Sequence, residues 1–293
     1  MDKKTRILTS ARKLFLEQGY KSTSIQSIAS ESGISKGAVY LYFNSKEEIL
    51  LAIFRMIEDE VWRKVSSINQ DPSLSAREKY RRQIITFYNE VMENLQFNQM
   101  MLNESGIELN EAFYNYAREY RYRLQKVQEE SLLAIYGDSL SMWLGDLVIS
   151  TNGIMQEFDA SIVLDNLELD SERLADFICN VTDFLVDGIL SKKPVPIFNE
   201  KTKLVREEFL AQKENEKHEA INQQFTKLAD LCESLVLSDE RKQTLQETLE
   251  LLKDALEATQ INKTLVKALM SNFNDYSELK ADREKLADLL EVR

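Results

Sequence analysis

The sequence predicts an all-α protein: an N-terminal three-helix domain with a helix-turn-helix, a larger helical domain, and an extra C-terminal helical hairpin or small bundle. Three observations predict it. Glycine (8) and proline (3) are scarce in 293 residues, as expected when most of the chain is helix, whose interior both residues weaken. Apolar residues recur at three- and four-residue steps almost throughout, the period of a helix buried on one face. The breaks carry helix-cap chemistry: serine, threonine or aspartate at starts and glycine at stops.

The elements follow in order. Residues 3–18 read as an amphipathic helix, with Ile7, Leu8, Ala11, Leu14 and Phe15 on one face and Gly19 as the stop. Thr23 and Gln26 have capping-box spacing before a short helix that buries Ile25, Ile28 and Ala29 and closes at Gly33. "ISKGAVYLYF" makes a second short helix with Ser35 as N-cap; Val39, Leu41 and Phe43 are its expected core residues. Ser45 and Glu48 form a further capping box before Ile49, Leu50, Ile53, Phe54 and Ile57. Helices are expected over 75–103, 108–136, 138–158 and 171–191, after a break centred on Pro72. "KKPVPIF" at 192–198 reads as a domain boundary. Beyond it three seams step in heptad fashion: Ile221, Phe225, Leu228, Cys232 and Leu235; Leu245, Leu249, Leu252 and Leu256; Leu265, Leu269 and Phe273. The expected domains are 1–46, 47–193 and 199–293.

Charge is distributed unevenly. The total is −12, yet residues 1–46 hold eight Lys/Arg against three Asp/Glu, a net of +5, leaving −17 for the rest. A basic head on an acidic body points to a polyanion bound at one end. The one histidine, His218, lies in a strongly charged stretch and reads as a solvated surface residue, which argues against a His-based triad or a multi-histidine metal site. No nucleophile-elbow, phosphate-loop or metal-ligand spacing occurs, so neither catalytic residues nor a metal or cofactor is expected. Two well-separated cysteines, Cys179 and Cys232, and the lack of a long apolar run fit a reduced, cytoplasmic compartment and no membrane partner.

The head carries the chemistry of groove binding. Lys36 opens the second short helix and can reach a guanine edge or a phosphate; Gly37 beside it permits close backbone approach. Tyr40, Tyr42, Thr23 and Ser24 can donate to phosphates, and Lys46 adds its charge to free amides at a helix start. Ser35 completes this candidate surface.

The run "ILTSARKLFLEQGYKSTSIQSIASESGISKGAVYLYFNSKEEILLAIF", from Ile7 to Phe54, resembles the TetR family of bacterial transcriptional regulators. The resemblance implies that Lys36, Gly37 and Ala38 face bases of a double-stranded operator, and that Thr23, Tyr40, Tyr42 and Lys46 face phosphates. Leu41 stands where many members have a second tyrosine. It further implies a homodimeric, ligand-responsive repressor acting on a palindromic operator. The aromatic- and methionine-rich middle offers an effector pocket from Phe87, Phe97, Met101, Asn103, Glu104, Phe113, Tyr116, Tyr120 and Trp143, suited to a hydrophobic or cationic small molecule. The helices 138–158 and 171–191 offer a dimer face through Trp143, Leu147, Thr151, Met155, Phe177, Val181 and Phe184, although the same residues suit intrachain core. Members commonly end near residue 195, so the C-terminal helices are an addition, with a protein partner as one role for them. The alternative function is an architectural or division-type DNA-binding factor recruiting a protein through that tail.

Overall fold

The computed structural model describes residues 2–103, 111–198, 200–258, 262–290 and 292. The described residues are helical with short connections, and the chain divides into two compact units, Met1–Lys203 and Leu204–Arg293.

The first unit begins with α1 (Lys3–Gln18), α2 (Ile25–Ser32) and α3 (Lys36–Tyr40). α1 buries Ile7, Leu8, Ala11 and Phe15 and stops at Gly19, whose φ of 85° suits a residue without a Cβ. α2 stops at Gly33, in the left-handed region at φ 63°. A Cβ there would also lie 2.9 Å from the Arg6 guanidinium, which donates to the Ser32 carbonyl. Gly33 thus provides both the bend and the room for the arginine that closes it. The expected Thr23–Gln26 box is replaced by one a residue later: Ser24 is the N-cap of α2 and exchanges hydrogen bonds with Ser27. Leu41 is not core; it is 84% exposed, because α3 ends at Tyr40 and the chain turns to bury Phe43 instead.

α4 (Lys46–Gln70) is capped by Ser45, as its sequence predicts, but the Glu48 carboxylate reaches back to the Asn44 amide rather than to that of Ser45. The expected 75–103 helix is two, α5 (Ala76–Glu93) and α6 (Leu95–Asn103), parted at Asn94. α7 spans Glu111–Tyr136; a 3-10 turn at Asp138–Leu140 leads to α8 (Leu144–Asp165), later than the expected 138–158; α9 spans Ser171–Lys192. Ion pairs bind α5 to α9: Arg77 pairs with Asp183 at 2.6 Å, and Arg81 pairs with Glu172 and Asp176 at 2.5 and 2.6 Å.

"KKPVPIF" is tied down rather than loose. Trp143 Nε1 donates to the Pro194 carbonyl at 2.6 Å, and the Asp146 carboxylate accepts the amides of Ile197 and Phe198 at 3.0 and 3.1 Å. Gly145 is what admits the strap, since a Cβ there would sit 2.8 Å from Phe198 Cβ.

Among its described residues the second unit is the small bundle of the two expected forms, with four α-helices: α10 (Glu200–Ser234, which begins before the unit), α11 (Asp239–Glu257), α12 (Lys263–Ser271) and α13 (Lys280–Leu290). Ile221, Leu228, Cys232, Leu245, Leu252, Leu256, Leu269 and Phe273 form its core. Leu265 departs from its seam at 47% exposure, and Val266 takes the buried place. No helix among the described residues is long and apolar enough to cross a membrane.

Replacing Asp146 with Ala removes both acceptors of the strap. Limited trypsinolysis of the full chain should then cut after Lys192 several-fold faster than in the parent, with the melting temperature little changed.

Candidate nucleic-acid interface and effector site

The exposed side of the helix-turn-helix is built from short caps. Ser35 caps α3 by accepting the Ala38 amide at 3.2 Å. Lys36 and Gly37 are exposed, Ala38 is half-buried, and Tyr40 is 47% exposed. The Lys36 ammonium lies 6.0 Å from the centre of the Tyr40 ring, and among the described residues no carboxylate pairs with it. A Cβ on Gly37 would meet nothing within 4 Å. Glycine inside a helix costs about 1 kcal/mol relative to alanine, and no intrachain contact requires it here. Ser24 is exposed and Tyr42 half-buried on the same side of the motif.

Two expected phosphate contacts are turned inward. Thr23 is 2% exposed, and its hydroxyl donates to the Gly19 carbonyl at 2.8 Å, serving the α1–α2 connection. The Lys46 ammonium sits 2.7, 3.3 and 2.9 Å from the carbonyls of Tyr20, Lys21 and Thr23 and 4.2 Å from the centre of the Tyr20 ring. Tyr20 in turn donates to Glu47 at 3.0 Å. The Tyr20 carbonyl also accepts the Thr23 amide at 3.3 Å, and the half-buried ammonium serves all three carbonyls where water would otherwise enter. Lys46 therefore clamps the start of α4 to the α1–α2 turn.

Two groups of aromatic residues hold the expected pocket residues of the body. Phe54 touches Phe97, Phe113 and Tyr116 with ring centres 5.3, 5.5 and 6.2 Å away. Trp62 touches Phe87 and Tyr120 at 6.0 and 6.2 Å. Phe97 and Met101 belong to the packing of the head, which α6 completes. Trp143 is not part of this group. It precedes α8, sixteen residues and about 24 Å along the helix from Asp159, and it holds the strap. Asn103 ends α6, and Glu104 lies outside the described residues.

Three carboxylates lie among these rings, and none was singled out from sequence. Glu58, 7% exposed, accepts from Trp62 Nε1 at 2.6 Å and Arg123 at 2.9 Å. Burial raises its carboxyl above the ordinary range, while the Trp62 hydrogen bond and the Arg123 charge pull it back. Burial, then the charges of Asp159 and Glu93, push Glu90 up to about 7; Arg12 and Lys64 oppose them. Burial alone pushes Asp159 up to about 6. The Tyr120 phenol is raised by burial first and then by the charges of Glu90, Glu58 and Asp159. A signal existed in the sequence. Glu58 falls in the apolar stripe Leu50, Phe54, Val61, Val65, where a charge has no reason to be unless it is paired or used.

The outward faces of α8 and α9 differ from the expected set. Leu147, Thr151 and Met155 are 0%, 1% and 6% exposed, buried within this chain against α5, α7 and α9. Helical phase explains it: their side of α8 is the one that faces these neighbours. Phe177 and Phe184 are 49% and 73% exposed, Val181 is half-buried between them, and Ile149 on α8 is 37% exposed. A Cβ at Gly153 or Gly188 would meet nothing within 4 Å.

Residues 7–53 match the model of bacterial regulatory proteins of the tetR family. The chain is 31% identical over 198 residues to YerO of Bacillus subtilis (strain 168), an uncharacterized HTH-type transcriptional regulator, covering 67% of this chain and 68% of YerO. It is 29% identical over 292 residues to YuxN of the same strain, likewise described, covering 99% and 98% of the two chains. That alignment includes the C-terminal unit. Among solved structures, the transcriptional regulator FadR from Bacillus subtilis in complex with stearoyl-CoA is 20% identical, with a TM-score of 0.49 over 61% of this chain and 96% of that one.

Two measurements test the inward-facing groups. Lys46→Met keeps the stem and removes the charge, so it should cost about 2 kcal/mol, the scale of charged hydrogen bonds; a lysine facing only solvent would leave the thermal midpoint unchanged. Glu90 has a folded pKa above its unfolded value, so ionising it costs stability, progressively from the ordinary carboxylate range up to about pH 7. Glu90→Gln should therefore raise the melting temperature at pH 8 by a few degrees and leave it unchanged near pH 4.

Proposed function

This chain belongs to the tetR family of bacterial regulatory proteins and is a DNA-binding transcriptional regulator; we propose that it is a cytoplasmic repressor that grips a palindromic operator as a homodimer and lets go when a hydrophobic cation enters its body. The observation that carries the DNA reading is Gly37. Its helix-weakening cost has no intrachain return, its Cβ position opens outward, and it stands beside an unpaired lysine on an exposed helix. Close approach of that backbone to a DNA groove accounts for all three.

In this reading Lys36, Gly37 and Ala38 face base edges. Ser24, Ser35, Tyr40 and Tyr42 face phosphates, and Leu41 supplies an apolar contact to sugar or a thymine methyl. Thr23 and Lys46 act indirectly, by holding the turn that orients α2 and α3. The dimer forms through the outward faces of α8 and α9. Phe177, Phe184 and Ile149 supply apolar area there, and Gly153 and Gly188 let helices approach closely. A stable pair needs about 1,200 Å² or more.

The cation reading rests on Glu58, Glu90 and Asp159 among Trp62, Tyr116 and Tyr120. A lone positive ligand would relieve the repulsion between Glu90 and Asp159 and gain the ring faces. The phosphates of an acyl-CoA would meet the same charges with the opposite sign. The relatives are transcriptional regulators, and nothing specific favours an architectural role.

The experiment is selection of duplexes from a random library by the full-length protein, followed by footprinting. A two-fold-symmetric consensus supports the reading, and recovery of no consensus overturns it. Gly37→Ala should stabilise the protein by about 1 kcal/mol while weakening binding to the selected duplex at least tenfold. For the effector, tetraphenylphosphonium should bind in calorimetry and release the duplex, with Asp159→Asn weakening it about tenfold. Tetraphenylborate and stearoyl-CoA should do neither; release by stearoyl-CoA alone would replace the cation with an acyl ligand.

A further inference from the structure

Arg12 is the residue of the head that reaches furthest into the body's charge network. It sits on α1, within the three-helix head, but its side chain turns away from the DNA-facing side. Its Nη2 donates to Asn94 Oδ1 at 2.7 Å, at the junction of α5 and α6, and its guanidinium lies 5.9 Å from the centre of the Phe97 ring. Its Nε is buried and, among the described residues, has no hydrogen-bond partner. The Asn94 amide is oriented from the other side: its Nδ2 donates to the Glu90 carbonyl at 2.9 Å and approaches Glu90 Oε1 at 3.4 Å. Asn94 is 7% exposed, so this geometry is set inside the protein. The line Arg12, Asn94, Glu90 thus runs from the DNA-binding head to the carboxylates of the effector site.

We propose that Arg12, Asn94 and Glu90 form a latch between head and body, closed by the negative charge on Glu90 and opened when that charge is neutralised. The proposal rests on the effector reading only for the identity of the neutralising ligand; a proton serves equally well. With Glu90 ionised, a half-buried arginine whose buried Nε is unsatisfied has a charged neighbour, and α1 is held to the end of α5. With Glu90 neutral, Arg12 keeps one neutral acceptor, Asn94, and its burial is no longer compensated. The head then gains freedom relative to the body.

The charge on Glu90 is finely balanced because groups from every surrounding element act on it. Asp159 of α8 and Glu93 of α5 oppose its ionisation; Arg12 of α1 and Lys64 of α4 favour it; and the Tyr120 phenol of α7 feels its charge. The midpoint of about 7 puts both states within reach of small changes in pH. It also gives a bound cation and Arg12 the same target, so the two compete.

The test uses full-length protein and a duplex selected by that protein at pH 8, with affinity read by fluorescence anisotropy at fixed ionic strength and without added effector. On general electrostatic grounds, lowering the pH removes negative charge and should strengthen DNA binding. The latch requires the opposite: about fivefold weaker binding at pH 6 than at pH 8, a modest allosteric coupling. Glu90→Gln should bind weakly at both values, with a ratio near one. Arg12→Gln should do the same, and Asp159→Asn should keep the fall but move its midpoint to lower pH. Circular dichroism confirms that each variant is folded. Should Arg12→Gln not fold, hydrogen exchange of α1 in the parent and in Glu90→Gln decides the matter. After correction for intrinsic rates, protection should drop at pH 6 in the parent only. Unchanged or tighter binding at pH 6, or a fall that survives in Glu90→Gln, overturns the latch and leaves the DNA reading intact. Failure to select any duplex overturns the DNA reading instead, and the exchange measurement still judges the latch.

Discussion

The packing of one apolar stripe, Ile7, Leu8, Ala11 and Phe15 of α1, governs both halves of this regulator's behaviour. On one side the stripe buries Ile28, Ala29, Val39 and Phe43, fixing α2 and α3 at the bend that presents Lys36 and Gly37. On the other it packs with Ile49, Leu50 and Ile53 of α4 and with Phe97 of α6. Burying a large apolar side chain is worth roughly 1.5–3 kcal/mol, so the α1 contact outweighs any single polar contact of the head. The head cannot move without carrying α1, and α1 cannot move without disturbing α4 and α6.

The junction of α1 with the body is where the structure departs from a plain hydrophobic core. Asn94 interrupts what would otherwise be one helix over 75–103, and the interruption lets an amide face Arg12. Near it stand Glu90, held above its ordinary range by burial and then by the charges of Asp159 and Glu93, and Asp159, raised by burial. Such groups are costly when charged and unneeded for stability, since apolar residues of similar size would pack as well or better. Their presence beside aromatic rings and below the head is best understood as function displacing stability.

The second unit follows another logic. Its core, from Ile221 to Val292, is built on leucine seams and a single buried cysteine, Cys232, and owes nothing to the chemistry of the head. Its composition is acidic, and the alignment with YuxN, an HTH-type transcriptional regulator, extends over a comparable region.

Much was legible in the sequence because it is local. Helical period, the stops at Gly19 and Gly33, the caps at Ser35 and Ser45, and the exposed Lys36–Gly37 pair all follow from a few neighbouring residues and the φ and hydrogen-bond demands of helix ends. What only the tertiary structure decided is everything that depends on which face of a helix meets which neighbour. Leu147, Thr151 and Met155 turned inward while Phe177 and Phe184 stayed outside. Lys46 and Thr23 turned to backbone carbonyls 4 to 26 residues away in sequence. Glu58, Glu90 and Asp159, from three helices, all raise the Tyr120 phenol by their charge. Periodicity states that a helix has an apolar face. It does not state how a dozen such faces are shared out, nor which charges are left in the interior when they are, because that partition minimises the free energy of the whole packed unit rather than of any one segment.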